Sequence, residues 1–211
     1  MKTTAIILAG GKSSRMGTNK ALLTLNGKTV IEGIAESLEK TADELLIVTN
    51  TPDDYKFLHL PMTEDKWKGM GPLAGIEAGL SASKTEHNLI VACDMPFISV
   101  DLGTYLLSCL EDYQAAVPEI SGRLHPLFAA YRKDVKGAVT KALDENQLRI
   151  RHFLHSIHVK IVKNDLLESL GLPDEEIYFF NMNDRNEYEK AFTMSKRIGS
   201  EIDEVFSGEN S

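Results

Sequence analysis

The chain has 211 residues, 43% of them hydrophobic and 26% charged, with a formal net charge of −8. That is a soluble globular composition with room for one domain and its own core. The acidic balance excludes non-specific nucleic-acid binding, which needs a net basic surface, and two cysteines are too few for a disulfide framework. The charge is unevenly placed. Residues 1–31 hold no Asp or Glu but carry Lys2, Lys12, Arg15, Lys20 and Lys28, so that end is +5 and the remaining 180 residues are −13. Cys93 and Cys109 fit neither a C-x-x-C pair nor a zinc ribbon, so reduced thiols and a cytoplasmic setting are expected. The apolar run at the N-terminus is too short for a secretory signal, and no stretch approaches the ~20 apolar residues of a membrane span.

In chain order, Ala5 to Ala9 reads as a strand buried on both faces, ended by Gly10-Gly11. Residues 10–20 form a Gly/Ser/Lys-rich loop. Thr29-x-x-Glu32 is a capping box, and Ile31, Ile34, Ala35 and Leu38 follow at helical spacing. Glu44 to Thr49 reads as a second buried strand, with a turn from Asn50 to Asp54. Gly71 to Ser83 reads as a helix, Leu89 to Cys93 as a third buried strand, and Ser99 to Leu110 as a helix. Ala115–Pro118 and Leu127–Tyr131 are expected strands, Arg132–Leu143 and Leu148–His155 helices, and Val159–Val162 extended. Ile177 to Phe180 reads as a short strand, after which Asp184-x-x-Glu187 caps a last helix running into a polar tail. Alternation of buried strands with amphipathic helices predicts an α/β domain with a mostly parallel sheet. Its expected extent is residues 1–198, with 199–211 as the tail. Ligands in such sheets sit beyond the carboxyl ends of the strands, which directs attention to Gly10 onward, Asn50 and Asp94.

The first strand empties into Gly10-Gly11-Lys12-Ser13-Ser14-Arg15-Met16-Gly17-Thr18-Asn19-Lys20. Glycines there let backbone N–H groups approach an anion, and Arg15 and Lys20 add positive charge. A P-loop is excluded, because the Gly required five residues before Gly11 is Ile6; a dinucleotide G-x-G-x-x-G is absent too. Asp94, at the end of a central strand, suits Mg²⁺, which takes one or two carboxylates plus phosphate oxygens and water. A turn or N-cap Asp ahead of Pro96 is the alternative. Gly69-Met70-Gly71-Pro72-Leu73-Ala74-Gly75 could admit a ring or ribose closely, or serve tight helix–sheet packing. Asn181 and Asn183 offer two amides to a ligand, or make an ordinary turn. His152, His155 and His158 recur every third residue, and a solvated face is favoured over a metal centre. Trp67 reads as a packing residue.

Together these residues resemble the molybdenum cofactor guanylyltransferases, the MobA family of the nucleotidyltransferases. Leu8-Ala9-Gly10-Gly11-x-Ser13-x-Arg15-Met16-Gly17-x-x-Lys20 matches that signature, followed in order by Gly71-Pro72-Leu73-Ala74-Gly75, Cys93-Asp94-Met95-Pro96 and Asn181-x-Asn183. Gly10 favours the guanylyl branch. The resemblance implies a Rossmann-like three-layer fold of the nucleotide-diphospho-sugar transferase type. It also implies transfer of GMP from GTP to the phosphate of molybdopterin, with pyrophosphate as co-product. Carried over residue by residue, Leu8, Ala9 and Gly10 would hold the nucleotide through backbone groups, and Lys20 its phosphates. Asn50 and Asp65 would lie on the base and ribose side, and Asp94 would bind Mg²⁺. Arg15, Lys20 and Asp94 would carry catalysis. Asn181 and Asn183, with His125 and Pro126, would face the pterin. Asp184-Arg185 departs from the Thr-Pro that relatives often have after the asparagines. A monomer or weak oligomer is expected, with transient contacts to molybdenum-insertion or molybdoenzyme-maturation proteins, and no nucleic acid or membrane. Other acceptors, cytidylyl transfer to the pterin, and a non-catalytic GTP-binding module are the alternatives.

Overall fold

The computed structural model describes residues 1–10, 19–172 and 175–208. Strand β1 (Thr3–Leu8) is followed, past a 3-10 turn at Lys20–Leu22, by a small hairpin of β2 (Thr24–Leu25) and β3 (Lys28–Thr29). Helix α1 (Val30–Glu39) starts on the expected capping box: Thr29 N–H donates to Glu32 Oε2 at 2.7 Å, and Glu32 N–H to Thr29 Oγ1 at 3.3 Å. Next come β4 (Glu44–Val48), a 3-10 segment at Pro52–Leu58, β5 (Met62–Thr63), α2 (Pro72–Ala82), β6 (His87–Ala92) and α3 (Val100–Ser108). The second half runs through β7 (Ala115–Ile120), β8 (Arg123–Leu124), β9 (Phe128–Arg132), α4 (Lys136–Asp144), α5 (Ile150–Leu154) and β10 (Val159–Lys163). It closes with α6 (Asn164–Ser169), α7 (Glu175–Tyr178) and α8 (Arg185–Gly208).

The main sheet runs β10-β7-β9-β6-β1-β4-β5, with β8 attached to β7. β1 lies between β4 and β6, parallel to both, with Ile6 opposite Leu46 on one side and Ile90 on the other. β9 is antiparallel to its neighbours β6 and β7, so the sheet is mixed but mostly parallel. Alternation along the strands builds two cores. Ala5, Ile7, Ile47, Leu89 and Val91 face Ile31 and Ile34 of α1 and Leu102 and Leu106 of α3. Ile6, Leu8, Leu46, Val48 and Ile90 face Leu73 and Ile76 of α2, Val139 of α4 and Phe153 of α5. The period of two along each strand thus sends successive apolar side chains into opposite layers. The three-layer α/β fold is the one expected from the sequence.

Two local expectations change. Ile177–Phe180 is not a strand: Glu175–Tyr178 is a helical turn, closed by Phe180 N–H donating to the Ile177 carbonyl at 3.2 Å. A four-residue apolar run carries no period that separates strand from helix, and tertiary packing decides it. The last helix continues to Gly208, through residues expected as a polar tail. Among the described residues no helix is long and apolar enough to cross a membrane.

Candidate active site

The carboxyl ends of β1, β4 and β6 lie side by side, and the segments leaving them form the site. Ala9 N–H donates to the Val48 carbonyl at 2.9 Å, and Cys93 N–H to the Leu8 carbonyl at 3.2 Å. These bonds carry the parallel pairing one residue beyond the strands and hold Leu8 and Ala9 rigidly between their neighbours. Gly10, at the end of this segment, is exposed. Arg15 lies outside the described residues. Lys20 opens the 3-10 turn that follows, capped by Asn19, whose Oδ1 accepts from Ala21 N–H at 3.2 Å.

Asp94 occupies the turn that ends β6, where Met95 N–H donates to the Ala92 carbonyl at 3.2 Å. Of the alternative reading, the turn is found and the cap is not, because α3 is capped by Ser99, whose Oγ accepts from Leu102 N–H at 3.2 Å. Burial raises the Asp94 carboxyl above the ordinary range, the Lys20 charge opposes that shift, and Glu187 adds to it. A desolvated carboxylate beside a lysine is a hard oxygen donor whose charge a cation would offset. Among the described residues no group of three or more His, Cys, Asp or Glu could hold a metal by itself. The donor set therefore fits a cation shared with phosphate oxygens rather than one caged by protein.

Asn50 and Asp65 come from separate segments and meet: Asn50 Nδ2 donates to Asp65 Oδ2 at 3.1 Å. The other oxygen, Asp65 Oδ1, is buried and has no hydrogen-bond partner among the described residues. A buried, unpaired carboxylate oxygen costs free energy unless a ligand donor meets it. Two residues before Asp65, the Thr63 carbonyl of β5 accepts from Thr49 N–H at 2.9 Å, which ties this segment to the end of β4.

The asparagine segment is tied to the same place. Met182 is fully buried, and its N–H donates to the Asp94 carbonyl at 2.8 Å. Asn181 and Asn183 therefore flank the Asp94 turn. Asn181 Nδ2 donates to the Phe179 carbonyl at 3.0 Å. The Glu187 carboxylate accepts from the N–H groups of Asn183 and Asp184, while Asp184 Oδ1 accepts from Glu187 N–H at 2.9 Å. Asp184 thus performs the capping a Thr would, so the departure at Asp184-Arg185 leaves the entry to α8 intact. His125 packs on Phe179 with ring centroids 4.4 Å apart, and burial with the nearby Arg123 charge lowers its pKa to about 4. It faces this segment as a neutral imidazole.

Other expectations separate. A Cβ on Gly75 would meet Leu8 Cδ2 at 3.3 Å and one on Gly79 would meet Ile6 Cγ2 at 2.6 Å, so these two glycines serve helix–sheet packing. Gly71 has φ +74° at the start of α2, ahead of Pro72, a conformation L side chains rarely adopt. Trp67 packs against the α2-side core. His155 and His158 line a cavity of about 550 Å³ with Arg151, Leu154 and Val159, and His152 does not join them. Sequence reading used Glu187 only as a cap and passed over Tyr55. Glu187 shows in the sequence as a cap because its partners Asn183 and Asp184 are its neighbours, whereas no pattern marks Tyr55, whose partners Ala9 and Asn19 are distant in sequence.

This arrangement defines a class: an α/β nucleotidyltransferase, with its site where the first, second and third long parallel strands end. Residues 5–161 match the MobA-like NTP transferase domain. A relative from Carboxydothermus hydrogenoformans, named "Probable molybdenum cofactor guanylyltransferase", is 42% identical over 89% of this chain and 93% of its own length. One of the same name from Clostridium perfringens is 38% identical over 90% of this chain and 96% of its own. The crystal structure of molybdopterin-guanine dinucleotide biosynthesis protein A from Archaeoglobus fulgidus superposes with a TM-score of 0.79 at 24% identity. That match covers 92% of this chain and 99% of the other. A nucleotidyl transferase from Methanothermobacter gives 0.71 at 19% identity, covering 93% and 99%. The chain belongs to the MobA-like NTP transferase family. Nucleotidyltransferases of this kind use a divalent metal.

Proposed function

We propose that the protein transfers GMP from GTP to the terminal phosphate of molybdopterin, forming the guanine dinucleotide of the cofactor and releasing pyrophosphate. The observation that carries this reading is the buried Asp65 Oδ1, without a hydrogen-bond partner among the described residues, together with the desolvated Asp94 carboxylate that the Lys20 charge offsets. Asp65 would lie on the base side of the nucleotide, and Asp94 with Lys20 on its phosphate side. A carboxylate accepts both N1–H and the 2-amino group of guanine, so Asp65, steadied by Asn50, is suited to that edge. Backbone groups of Leu8, Ala9 and Gly10 would lie along the nucleotide, and Lys20 and Arg15 would neutralise its phosphates.

The acceptor oxygen attacks the α-phosphorus in line, its new P–O bond replacing the bond to the β-phosphate, and pyrophosphate leaves with that electron pair. The nucleophile is already ionised at neutral pH, so no general base is needed, and rate comes from positioning and charge stabilisation. Mg²⁺ held by Asp94 would supply further neutralisation of the phosphate oxygens when bound. Asn181 and Asn183, fixed to Asp94 through Met182 and to α8 through Glu187, would present the acceptor, with the neutral His125 beside them. The test is pyrophosphate release with molybdopterin, Mg²⁺ and each nucleoside triphosphate in turn. Release with GTP and not with CTP is expected, and its abolition in Asp94→Ala. Equal or faster release with CTP would move the protein to the cytidylyl reading, and GTP binding without release would make it a binding module.

A further inference from the structure

Tyr55 sits in the 3-10 segment Pro52–Leu58, between β4 and β5, in a stretch whose neighbours Asp53 and Asp54 are exposed. It is nonetheless 2% exposed, its ring packed in the core that holds α1 and α3. Burying a tyrosine leaves a hydroxyl that must find partners. Its partners are the two residues that bracket the glycine-rich signature. Asn19 Nδ2 donates to the Tyr55 hydroxyl at 2.9 Å, and the hydroxyl is within 3.5 Å of the Ala9 carbonyl, to which it can donate. Asn19 Oδ1, at 3.3 Å from the same hydroxyl, also accepts from Ala21 N–H, inside the turn that carries Lys20.

The hydroxyl thus connects the end of β1, where backbone groups would meet the nucleotide, to the start of the turn that carries Lys20. The chain of bonds reads Ala9 carbonyl, Tyr55 hydroxyl, Asn19 amide, Ala21 N–H. Burial pushes the Tyr55 pKa up to about 12, so the donor keeps its proton throughout the physiological range. We propose that Tyr55 and Asn19 form a latch that sets the spacing between the Ala9 backbone and Lys20, making both of them positioning residues for the nucleotide phosphates. The idea rests on GTP being the donor substrate and deepens that reading. It assigns a role in phosphate geometry to a tyrosine distant in sequence from the signature. The bonds of the latch end at the Ala9 carbonyl and at Ala21 N–H, next to Lys20, so the proposal assigns its effect to the phosphates.

The test is Tyr55→Phe, which keeps the ring and its packing, with Asn19→Ala as the approach from the other side. GTP affinity with Mg²⁺ is measured by calorimetry, guanosine affinity by NMR titration, and KM for GTP and for molybdopterin by pyrophosphate release. A lost hydrogen bond of ordinary strength corresponds to roughly a fivefold to tenfold change in an equilibrium constant. GTP binding should weaken by about that factor in both variants, with KM for GTP rising in step. Guanosine affinity and KM for molybdopterin should stay within about twofold, and the double variant should be no worse than Tyr55→Phe alone. A role in folding alone would weaken GTP and guanosine together, and that result, or unchanged GTP binding in both variants, would overturn the proposal. A wild-type protein that binds no GTP would remove the donor assignment and the latch with it; normal wild-type binding with unaffected variants would remove the latch alone.

Discussion

Glycines inside helices give a graded test of the packing argument. In α2, a Cβ on Gly79 would stand 2.6 Å from Ile6 Cγ2, 3.2 Å from Ile6 Cδ1 and 3.3 Å from Val48 Cγ2. The first distance is about 1 Å inside ordinary carbon–carbon contact. Ile6 is fully buried in the middle of β1 and, being β-branched, has little rotamer freedom to retreat. Overpacking of this kind costs about 1–3 kcal/mol, and the helix preference for Ala over Gly returns about 1 kcal/mol or less. Gly79→Ala should therefore destabilise by up to about 2 kcal/mol, which for a chain of this length lowers Tm by up to roughly 8 °C. In α1 the same substitution at Gly33 meets nothing within 4 Å, so Gly33→Ala should gain about 0.5–1 kcal/mol and raise Tm. Gly75→Ala should fall between them, because the atom it meets at 3.3 Å is the terminal Cδ2 of Leu8, which can yield. Scanning calorimetry of the three variants reads the order directly. If Gly79→Ala were as stable as Gly33→Ala, the claim that α2 is pressed onto β1 through its glycines would be wrong.

Lys20→Ala should lower kcat/KM for GTP by about 10²–10³-fold, the scale of losing one preorganised charge contact to a transferring phosphoryl group, with Tm little changed. Steady-state pyrophosphate release checks it, and near-wild-type turnover would contradict the placement of Lys20 on the phosphates. Asp65→Asn keeps the bond to Asn50 within reach but turns one acceptor into a donor, so discrimination between GTP and the other triphosphates should fall by at least about tenfold. Competition of GTP against ATP in the same assay measures the ratio. His125 should give stability a pH dependence. Its folded pKa of about 4 lies below the ordinary value of 6.5, so between those limits the unfolded chain binds the extra proton and stability declines as pH falls. The decline ends below about pH 4, once the folded form is protonated too. His125→Gln should flatten the Tm profile between pH 6.5 and 4 relative to wild type, and parallel profiles would refute the burial argument.

Much of the architecture is legible in local sequence because its signals are local. The runs at Ala5–Ala9, Glu44–Thr49 and Leu89–Cys93 announce strands buried on both faces, and the residues after them announce the site. The capping boxes at Thr29 and Asp184 are readable because each is completed within three residues. The expected Ile177–Phe180 strand shows the reverse: four apolar residues have no period, and the structure forms a short helix there, followed by Phe179 packed on His125 and Phe128. The antiparallel direction of β9 is equally invisible, since direction depends on where the chain re-enters the sheet.

The uneven charge, the order of the motifs and the placement of Gly10, Asn50 and Asp94 after buried strands are properties of sequence alone. They are enough to fix the fold class and to point at a nucleotide. Which side chains meet is decided only in three dimensions. Asn50 bonds Asp65 across fifteen residues, Met182 ties the asparagines to Asp94, and Tyr55 reaches both Ala9 and Asn19. The physical reason is the same in each case. A backbone bond or a buried hydroxyl is satisfied by whatever the fold brings within about 3 Å, and no pattern along the chain records that neighbour.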